Sequence, residues 1–335
     1  MRLFHDKGFQ AENERLILPK IISFLKTIRE DKILKKYVRV FGITGPAARG
    51  QASSKGSDID FCCITKYLNP FHERHLNKKF KECFAESKIE ASILIFGPSI
   101  FKKPDLMFFE FVNSGKILYG SIKRKLSIAD IPKWEGIRVL CLKGNPFIVY
   151  QKSPSKEFDY YYTKLLFGIG EALLLLDSEY VTDDFERYNL VLKNRHAKKI
   201  PVFLEQYRLA QKFRYSDYSF RASQAEKKKR KEKGLLFSRY AWKVFLEEYF
   251  DCSYEESLEK LRRIKPAKFK ERVGTRLFYT VKYMQFFKKI RFCIIQEPFI
   301  REILTIQKYL AKPDEKLRKK IIESWFAAPK FWYKK

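Results

Sequence analysis

The sequence predicts an α+β fold. A small β-sheet domain with flanking helices is expected over residues 1–125, followed by an all-α domain over residues 126–335. Strand-like and helix-like segments alternate in the first region, whereas beyond about residue 155 only the helical spacing of apolar residues remains. Hydrophobic residues make up 45% of the chain, which is enough to bury a core in each domain.

The composition excludes several classes of protein. There are 69 Lys and Arg residues against 39 Asp and Glu residues, so the formal net charge is +30. A chain this hydrophobic is not intrinsically disordered as a whole. Six cysteines without a Cys-x-x-Cys pair predict neither a disulfide scaffold nor a zinc site. The excess of positive charge favours polyanionic partners, and nucleic-acid binding through a basic surface is one expectation.

The sequence gives no sign of secretion or of a membrane span. Its first residues, MRLFHDKGFQAENERL, lack the apolar run of a secretory signal. The longest apolar run, at 165–176, is interrupted by Glu171 and is too short to cross a bilayer. We therefore expect a cytoplasmic protein with no membrane partner.

The first domain is predicted from runs of β-branched and aromatic residues that alternate with helical segments. Within the segment 69–88, Phe71, His75, Phe80 and Phe84 are expected on one buried helix face. The predicted elements in chain order are a helix at 11–30, a strand at 37–43, a turn containing Gly45, Pro46 and Gly50, a strand at 59–64, a helix at 69–88, a strand at 89–96, a helix at 105–114 and a short strand at 116–119.

The second domain is predicted from helical periodicity alone. The stretch 137–142 is compatible with either an extra strand or a connector. A sub-boundary is expected near 222–234, and Pro201, Gly234, Pro266 and Pro313 are expected to separate helices. The predicted helices cover residues 158–178, 181–194, 200–213, 236–250, 254–264, 268–288, 298–311 and 314–325.

Two aspartates at the start of the second strand indicate where chemistry takes place. Asp58 and Asp60 are two residues apart, so strand alternation places them on one face. Two carboxylates this close repel each other unless a cation compensates, and Mg²⁺ or Mn²⁺ prefers such oxygen ligands. The glycine-rich turn before them brings backbone N–H groups close to a ligand, as phosphate binding requires. Arg49 in that turn either contacts a phosphate or forms a structural ion pair.

The segment GPAARGQASSKGSDIDF resembles the signature of the polymerase-β-like nucleotidyltransferase superfamily. The similarity is greatest to the minimal and kanamycin-type nucleotidyltransferases, and it is specific over residues 37–120. The turn of that family reads G-S-x-A-R-G, and its aspartates fall in S-D-I-D. The matching residues here are Gly45, Ala48, Arg49 and Gly50 in the turn, and Ser57, Asp58, Ile59 and Asp60 in the second half.

The resemblance also implies a third metal-binding carboxylate on the following strand, after one helix. Glu90 occupies that position, and Asp105 and Glu110 are weaker candidates for it. The segment 113–120, NSGKILYG, is similar to the end of the family's core domain. The helical C-terminal region is similar to helical extensions in the same group.

If the resemblance extends to function, the protein is a nucleotidyltransferase. It would transfer a nucleoside monophosphate from an NTP to an acceptor hydroxyl and release pyrophosphate. The resemblance implies that Mg²⁺ or Mn²⁺ is held by the catalytic residues Asp58, Asp60 and Glu90. It implies that the NTP is bound by the turn residues Gly45, Pro46, Arg49 and Gly50 together with Ser57. The acceptor is an RNA, a small molecule or a protein hydroxyl, and the basic surface favours a polyanion.

One departure from the family pattern supports an alternative. Pro46 stands where the family has a serine that contacts the nucleotide phosphates, and proline supplies neither a hydroxyl nor a backbone N–H. The candidates to replace the missing donor are Thr44, Ser53, Ser54 and Ser57. The alternative is a catalytically degenerate protein of this fold that acts as a nucleic-acid-binding or antitoxin-like module.

Three further features each allow two interpretations. The basic run 227–231 is either a phosphate-contacting loop or helix end, or a solvated linker. His75 is expected to cover the sheet and His72 to lie on the surface, and metal binding by the pair is the alternative. His196 invites comparison with the R-x4-6-H ribonuclease motif of HEPN proteins, but neither Arg195 nor Arg187 has that spacing.

Overall fold

The computed structural model describes residues 7–52, 58–67, 69–85, 90–102, 104–152, 155–215, 223–263 and 296–327. Two compact units divide the chain. The first comprises Met1–Pro132 together with Val181–Arg187, and the second comprises Lys133–Tyr180 and Tyr188–Lys335. Residues 126–132 therefore belong with the first unit, and so does a short segment that lies far along the chain.

The first unit contains a four-stranded mixed sheet and five helices among its described residues before residue 133. The strand order is β3-β2-β1-β4; β2 and β3 are parallel, and β1 is antiparallel to both β2 and β4. The elements are α1 Lys7–Glu30, α2 Lys32–Tyr37, β1 Val38–Thr44, α3 Gly45–Arg49, β2 Ile59–Thr65, α4 Pro70–Phe84, β3 Ala91–Phe96, α5 Leu106–Ser114 and β4 Lys116–Tyr119. The predicted α+β class is confirmed.

The core of the first unit lies on the face of the sheet that α1 and α4 cover. Phe41 and Phe61 stack with their ring centroids 5.3 Å apart, and Phe24 and Phe80 meet them edge-on. Because side chains alternate along a strand, Asp60 faces the opposite side of the sheet. Helix α5 packs on that opposite side, where a Cβ at Gly42 would lie 3.0 Å from the ring of Phe111.

Two details of the first unit differ from expectation. Part of the predicted turn after β1 forms the one-turn helix α3, which ends at Gly50 in the left-handed conformation. Phe71 is 77% exposed and does not join the buried face of α4. Nine positions separate it from Phe80, and at 100° a residue this spacing places the two on opposite sides of the helix.

The second unit is helical throughout its described residues. Its elements are α6 Glu135–Val149, α7 Ser155–Leu176, α8 Asp184–Lys193, α9 Arg195–Lys198, α10 Pro201–Tyr215, α11 Gln224–Phe250, α12 Tyr254–Arg263, α13 Gln296–Ala311 and α14 Glu315–Ala327, with the first four residues of α8 assigned to the first unit. The helix predicted at 268–288 lies outside the described residues. None of the helices described combines the length and the apolar character that crossing a membrane requires.

Two expectations for the second unit are wrong. The stretch 137–142 is neither a strand nor a connector but part of α6, where Ile137, Leu140 and Cys141 are buried at helical spacing. Gly234 does not separate helices, because α11 runs through it. A Cβ at Gly234 would lie 2.5 Å from the ring of Phe147, so the glycine permits close packing and does not end the helix. The run 227–231 is accordingly helical and not a linker.

Candidate active site

Asp60 is the second residue of β2, and β2 lies between β1 and β3 in the sheet. Its register partners are Thr44 on β1 and Ser92 on β3. Residues paired across neighbouring strands share a face, so these three side chains lie on the side of the sheet away from the aromatic core. The Ser92 hydroxyl donates a hydrogen bond of 2.5 Å to Asp60 Oδ1. Ser92 therefore orients the carboxylate of Asp60.

Asp58 and Glu90 directly precede β2 and β3. The backbone N–H of Ile59 donates to the carbonyl oxygen of Glu90 at 2.9 Å, which continues the parallel pairing of Ile59 with Ala91. Neighbouring strands lie about 4.8 Å apart, so the backbones of Asp58 and Glu90 are adjacent. Strand alternation assigns both residues to the face that carries Asp60. Asp58 is half-buried and Glu90 is exposed.

Asp58, Asp60 and Glu90 are the candidate ligands of a divalent cation. Within the described residues, no three His, Cys, Asp or Glu side chains stand close enough together to hold a metal ion as they are. Their donor chemistry fits a hard divalent cation, because all three offer carboxylate oxygens. Their backbones also lie at neighbouring strands, since the N–H of Ile59, next to Asp58, donates to the carbonyl oxygen of Glu90. Asp58, Asp60 and Glu90 are thus the residues that would hold Mg²⁺ or Mn²⁺.

The turn that follows β1 approaches the carboxylate of Asp60. Gly45 has a φ of +67°, which L side chains rarely adopt, and a Cβ at this position would lie 3.9 Å from Asp60 Oδ2. Pro46 is the next residue and lies in the first turn of α3. The N–H of Gly50 donates to the carbonyl oxygen of Ala47 at 3.2 Å, so it already has a partner inside the turn.

Thr44 is the candidate phosphate donor that the structure describes. Its side chain is 1% exposed, and its Oγ1 has no hydrogen-bond partner in the described chain. A buried hydroxyl without a hydrogen-bond partner lowers the stability of the folded state. The Thr44 hydroxyl lies on the same sheet face as Asp60. The other candidates, Ser53, Ser54 and the predicted site residue Ser57, lie outside the described residues.

Arg49 takes part in an ion cluster of the first unit. Its Nη2 lies 2.8 Å from Asp184 Oδ1, its Nη1 lies 3.8 Å from Glu110 Oε2, and its Nε donates to Gln51 Oε1 at 3.1 Å. The Arg49 side chain is 8% exposed. The sequence left a phosphate contact and a structural ion pair open for Arg49, and these contacts are those of a structural ion pair.

A second arginine completes what we call the buried ion network, formed by Arg49, Glu110, Asp184 and Arg187. Arg187 Nη2 lies 2.8 Å from Asp184 Oδ1 and 3.4 Å from Glu110 Oε1. Two cations and two anions share the site, so its formal charge is zero. Glu110 is therefore engaged by two arginines of this network. Asp105, the other weaker candidate for the third acid, caps α5 by accepting from the N–H of Phe108 at 2.8 Å.

The two histidines of α4 have separate side-chain partners, Tyr67 for His72 and Asp31 for His75. His75 Nε2 lies 2.8 Å from Asp31 Oδ2. Burial alone would raise the pKa of Asp31, but hydrogen bonds from the N–H of Leu34 and from His75 lower it below its usual value. His72 is half-buried rather than on the surface, with its ring 5.1 Å from that of Tyr37.

His196 is buried in the second unit, at the start of the short helix α9. It is 1% exposed, and neither ring nitrogen has a hydrogen-bond partner among the described residues. Its Nε2 lies 3.6 Å from Asp177 Oδ1 and 3.7 Å from Glu248 Oε1. Burial lowers the pKa of His196 below its ordinary value of 6.5.

The buried His196 makes stability depend on pH. As the pH falls below 6.5, the unfolded chain takes up a proton that the folded chain resists, so the free energy of unfolding falls. We expect the urea midpoint to drop between about pH 7.5 and pH 5, and to drop less in His196→Met, which cannot titrate. Equal pH dependence in the two proteins, measured by circular dichroism, would contradict a contribution from His196.

The candidate site consists of a sheet face that carries carboxylates and of the tight turn next to it. Asp58, Asp60 and Glu90 supply the acids, and Gly45 is the turn residue that comes close to the carboxylate of Asp60. Sequence reasoning missed Ser92, although its position two residues after Glu90 put it on the same strand face. In comparisons with known proteins, the chain matches no protein-family model and no curated protein.

Proposed function

We propose that the protein is a metal-dependent nucleotidyltransferase. The observation that supports this proposal is the placement of Asp58, Asp60 and Glu90 on one face of two adjacent strands, beside the turn at Gly45. This arrangement suits a triphosphate bound with a divalent cation, because the acids supply oxygen ligands next to a glycine-containing turn. The resemblance of residues 37–120 to nucleotidyltransferases leads to the same reaction.

Each part of the site has a task in this reaction. Asp58 and Asp60 hold Mg²⁺ or Mn²⁺, which when bound neutralises charge on the phosphates. Ser92 keeps the carboxylate of Asp60 in one orientation. Glu90 helps to hold the cation and takes the proton of the acceptor hydroxyl. The acceptor oxygen then bonds to the α-phosphorus, the bond from that phosphorus to the leaving oxygen breaks, and pyrophosphate departs.

Of the two interpretations left open for Arg49, the proposal takes the structural ion pair, and of the candidate replacement donors it takes Thr44. The proposal assigns Arg49 to holding the turn through the buried ion network, because its guanidinium already contacts Asp184 and Glu110. It assigns the phosphate contact to Thr44, whose buried hydroxyl has no hydrogen-bond partner among the described residues. Thr44 is the last residue of β1 and directly precedes the turn, on the sheet face that carries Asp60. Pro46 has no N–H, so the proposal assigns no phosphate contact to the backbone nitrogen of this residue.

The acceptor and the location are part of the same proposal. A net charge of +30 favours a polyanionic acceptor such as RNA over a cationic small molecule. A protein hydroxyl is the third choice. We place the protein in the cytoplasm, where NTPs and Mg²⁺ are both abundant.

Pro46 favours a second candidate function. Because this residue cannot donate a hydrogen bond, the chain has lost a phosphate contact that the resembling enzymes use. The second candidate is a protein that keeps the fold, binds nucleic acid and transfers nothing.

An assay with α-labelled NTPs separates the two functions. The protein is incubated with Mg²⁺, labelled NTPs and total RNA, and compared with Asp58→Asn/Asp60→Asn. We expect metal-dependent label on an acceptor, and a loss of about a thousandfold or more in the double variant, because neutral amides cannot replace two metal-binding carboxylates.

The matched control is Glu30→Gln/Glu82→Gln, which removes two exposed acids of the same unit and should label the acceptor like the unchanged protein. EDTA should abolish label in every protein. RNA binding that survives both EDTA and the aspartate substitutions, with no label on any acceptor, would replace the proposed function with the second candidate.

A further inference from the structure

The first three turns of α11 carry the densest positive charge in the sequence. We call residues 224–233 the lysine-rich end of α11. It contains six cations and two acids: Lys227, Lys228, Lys229, Arg230, Lys231 and Lys233, with Glu226 and Glu232. Lys228 and Lys229 are exposed, and Lys227, Lys231 and Lys233 are half-buried. Lys228 and Lys229 therefore present positive charge to solvent, and the half-buried lysines are partly accessible beside them.

Two cations of this end have partners in the described part of the protein. Arg230 Nη1 lies 2.8 Å from Asp159 Oδ1, and Lys227 Nζ lies 5.4 Å from the centre of the Phe158 ring. Glu226 is used at the helix start, where its carboxylate accepts from the N–H and the hydroxyl of Ser223. The structure shows no ion pair, among the residues described, for four lysines of this end: Lys228, Lys229, Lys231 and Lys233.

Helix stability does not explain why the lysines lie here. Lys227 and Lys231, like Lys229 and Lys233, are four residues apart, and like charges at this spacing destabilise a helix. The start of a helix is also the positive end of its dipole, where cations are unfavourable. The capping box of Ser223 and Glu226 and the pair of Arg230 with Asp159 stabilise this end of the helix. Repulsion between the lysines four residues apart opposes helix formation here, so binding is a better explanation of their placement than helix stability.

We propose that the lysine-rich end of α11 binds the phosphate backbone of a nucleic acid. A row of flexible ammonium groups suits the repeated charge of a polyanion, and release of its counterions drives binding. A lipid surface fits less well, because the exposed positions of residues 224–233 carry no large apolar side chain to enter a membrane. The proposal stands apart from the proposed nucleotide transfer and holds whether or not the first unit is an enzyme.

Fluorescence anisotropy of the full chain tests this surface. The probes are a labelled single-stranded RNA of about 20 nucleotides and a DNA duplex of about 20 base pairs, titrated between about 50 and 200 mM salt. The variant is Lys228→Gln/Lys229→Gln/Lys231→Gln/Lys233→Gln, in which glutamine keeps the helix propensity of lysine. The matched control neutralises four exposed lysines of the first unit: Lys32→Gln/Lys35→Gln/Lys36→Gln/Lys81→Gln.

We expect the α11 variant to bind at least about tenfold more weakly at about 100 mM salt. The salt dependence should also become shallower, by about 0.7 in the log–log slope for each lost phosphate contact on a single strand. The control should stay within about twofold of the unchanged protein. A preference for either RNA or DNA supports the proposal, since both offer the same backbone chemistry.

Two outcomes would overturn the proposal. Equal losses of affinity in the variant and the control would show that only total charge matters. Unchanged nucleic-acid affinity in the variant, with loss of binding to vesicles that contain phosphatidylserine, would assign this surface to a membrane instead. Circular dichroism of each protein confirms that the comparison is made between folded chains.

Discussion

Replacing Asp184 with asparagine is expected to lower the free energy of unfolding by about 3–5 kcal/mol. Asp184 is 9% exposed, and its Oδ1 lies 2.8 Å from a guanidinium nitrogen of both Arg49 and Arg187. Without its charge, two largely buried cations face the single carboxylate of Glu110. Removing one member of a buried ion cluster is costly because the remaining charges have already lost their hydration. Urea unfolding followed by circular dichroism measures the loss.

The neighbouring residue provides a matched control for Asp184. Asp183→Asn makes the same chemical change one residue away, where Oδ1 caps α8 by accepting from the N–H groups of Phe185 and Glu186, and Oδ2 accepts from Gln51 Nε2. Asparagine caps helices about as well as aspartate but gives up the bond from Gln51, so we expect a loss of about 1–2 kcal/mol. Equal losses in Asp183→Asn and Asp184→Asn would mean that the buried ion network adds little stability.

A second substitution should partly restore the Asp184 variant. Asp184→Asn/Arg187→Gln leaves Arg49 facing Glu110, so the buried charges balance again. We expect the double variant to be more stable than the sum of the two single changes, because residues in one charge network are coupled. Additive losses would contradict the direct contact between Asp184 and Arg187.

Asp60→Asn is expected to reduce nucleotide transfer by about a thousandfold or more under the proposed function. Of the three acids, Asp60 lies within the strand rather than before it, and the structure orients it through Ser92 and places it under Gly45. An amide keeps the shape of the side chain but loses the negative charge that binds a divalent cation. The fold should survive, so labelled transfer and circular dichroism together separate lost chemistry from unfolding.

Ser92→Ala should have a smaller effect of the same kind. A hydrogen bond to a charged group contributes about 1.5–3 kcal/mol, so we expect transfer to fall by about tenfold to a hundredfold. Its control is Ser23→Ala on the exposed side of α1, which should transfer like the unchanged protein. Full activity in Ser92→Ala would show that the orientation of Asp60 does not depend on this hydroxyl.

Local patterns in the sequence were enough to predict the sheet of the first unit. The strand at Ile59 is a short run of β-branched and aromatic residues, and the structure extends it only to Thr65. The helix predicted at 69–88 begins at Pro70, capped by Asn69, which accepts from two backbone N–H groups. Such signals act over a few residues, and a sequence displays them directly.

The helix α6 shows where local patterns fail. Its central run, IRVLCL, is too short to distinguish a buried strand from a buried helix. Gly136, Gly144 and Pro146 lower its helix propensity further, yet it forms because it packs against α7 along one face. Gly136 itself is required by packing, since a Cβ there would lie 2.2 Å from the ring of Phe245. Contacts with other segments of the chain therefore determine that residues 135–149 form a helix.

Some residues of the candidate site could likewise be predicted from local sequence patterns, and others could not. Asp58, Asp60 and Glu90 could be found because they lie beside strands that the sequence predicts. The role of Arg49 could not, because its partner Asp184 is 135 residues away along the chain. No periodicity or motif connects these two positions. Only a folded structure reveals that the arginine of the turn is neutralised by an acid from beyond α7.

The order of synthesis gives the segment Val181–Arg187 one more consequence. A ribosome extends a chain by about 5–20 residues each second, so Asp184 emerges on the order of ten seconds after Arg49. During that interval the nascent sheet can form, but Arg49 has only Glu110 as an anionic partner within this network. The contacts of Asp184 in the first unit can therefore form only after α7 has also been synthesised. Completion of the first unit during translation thus depends on synthesis of part of the second unit.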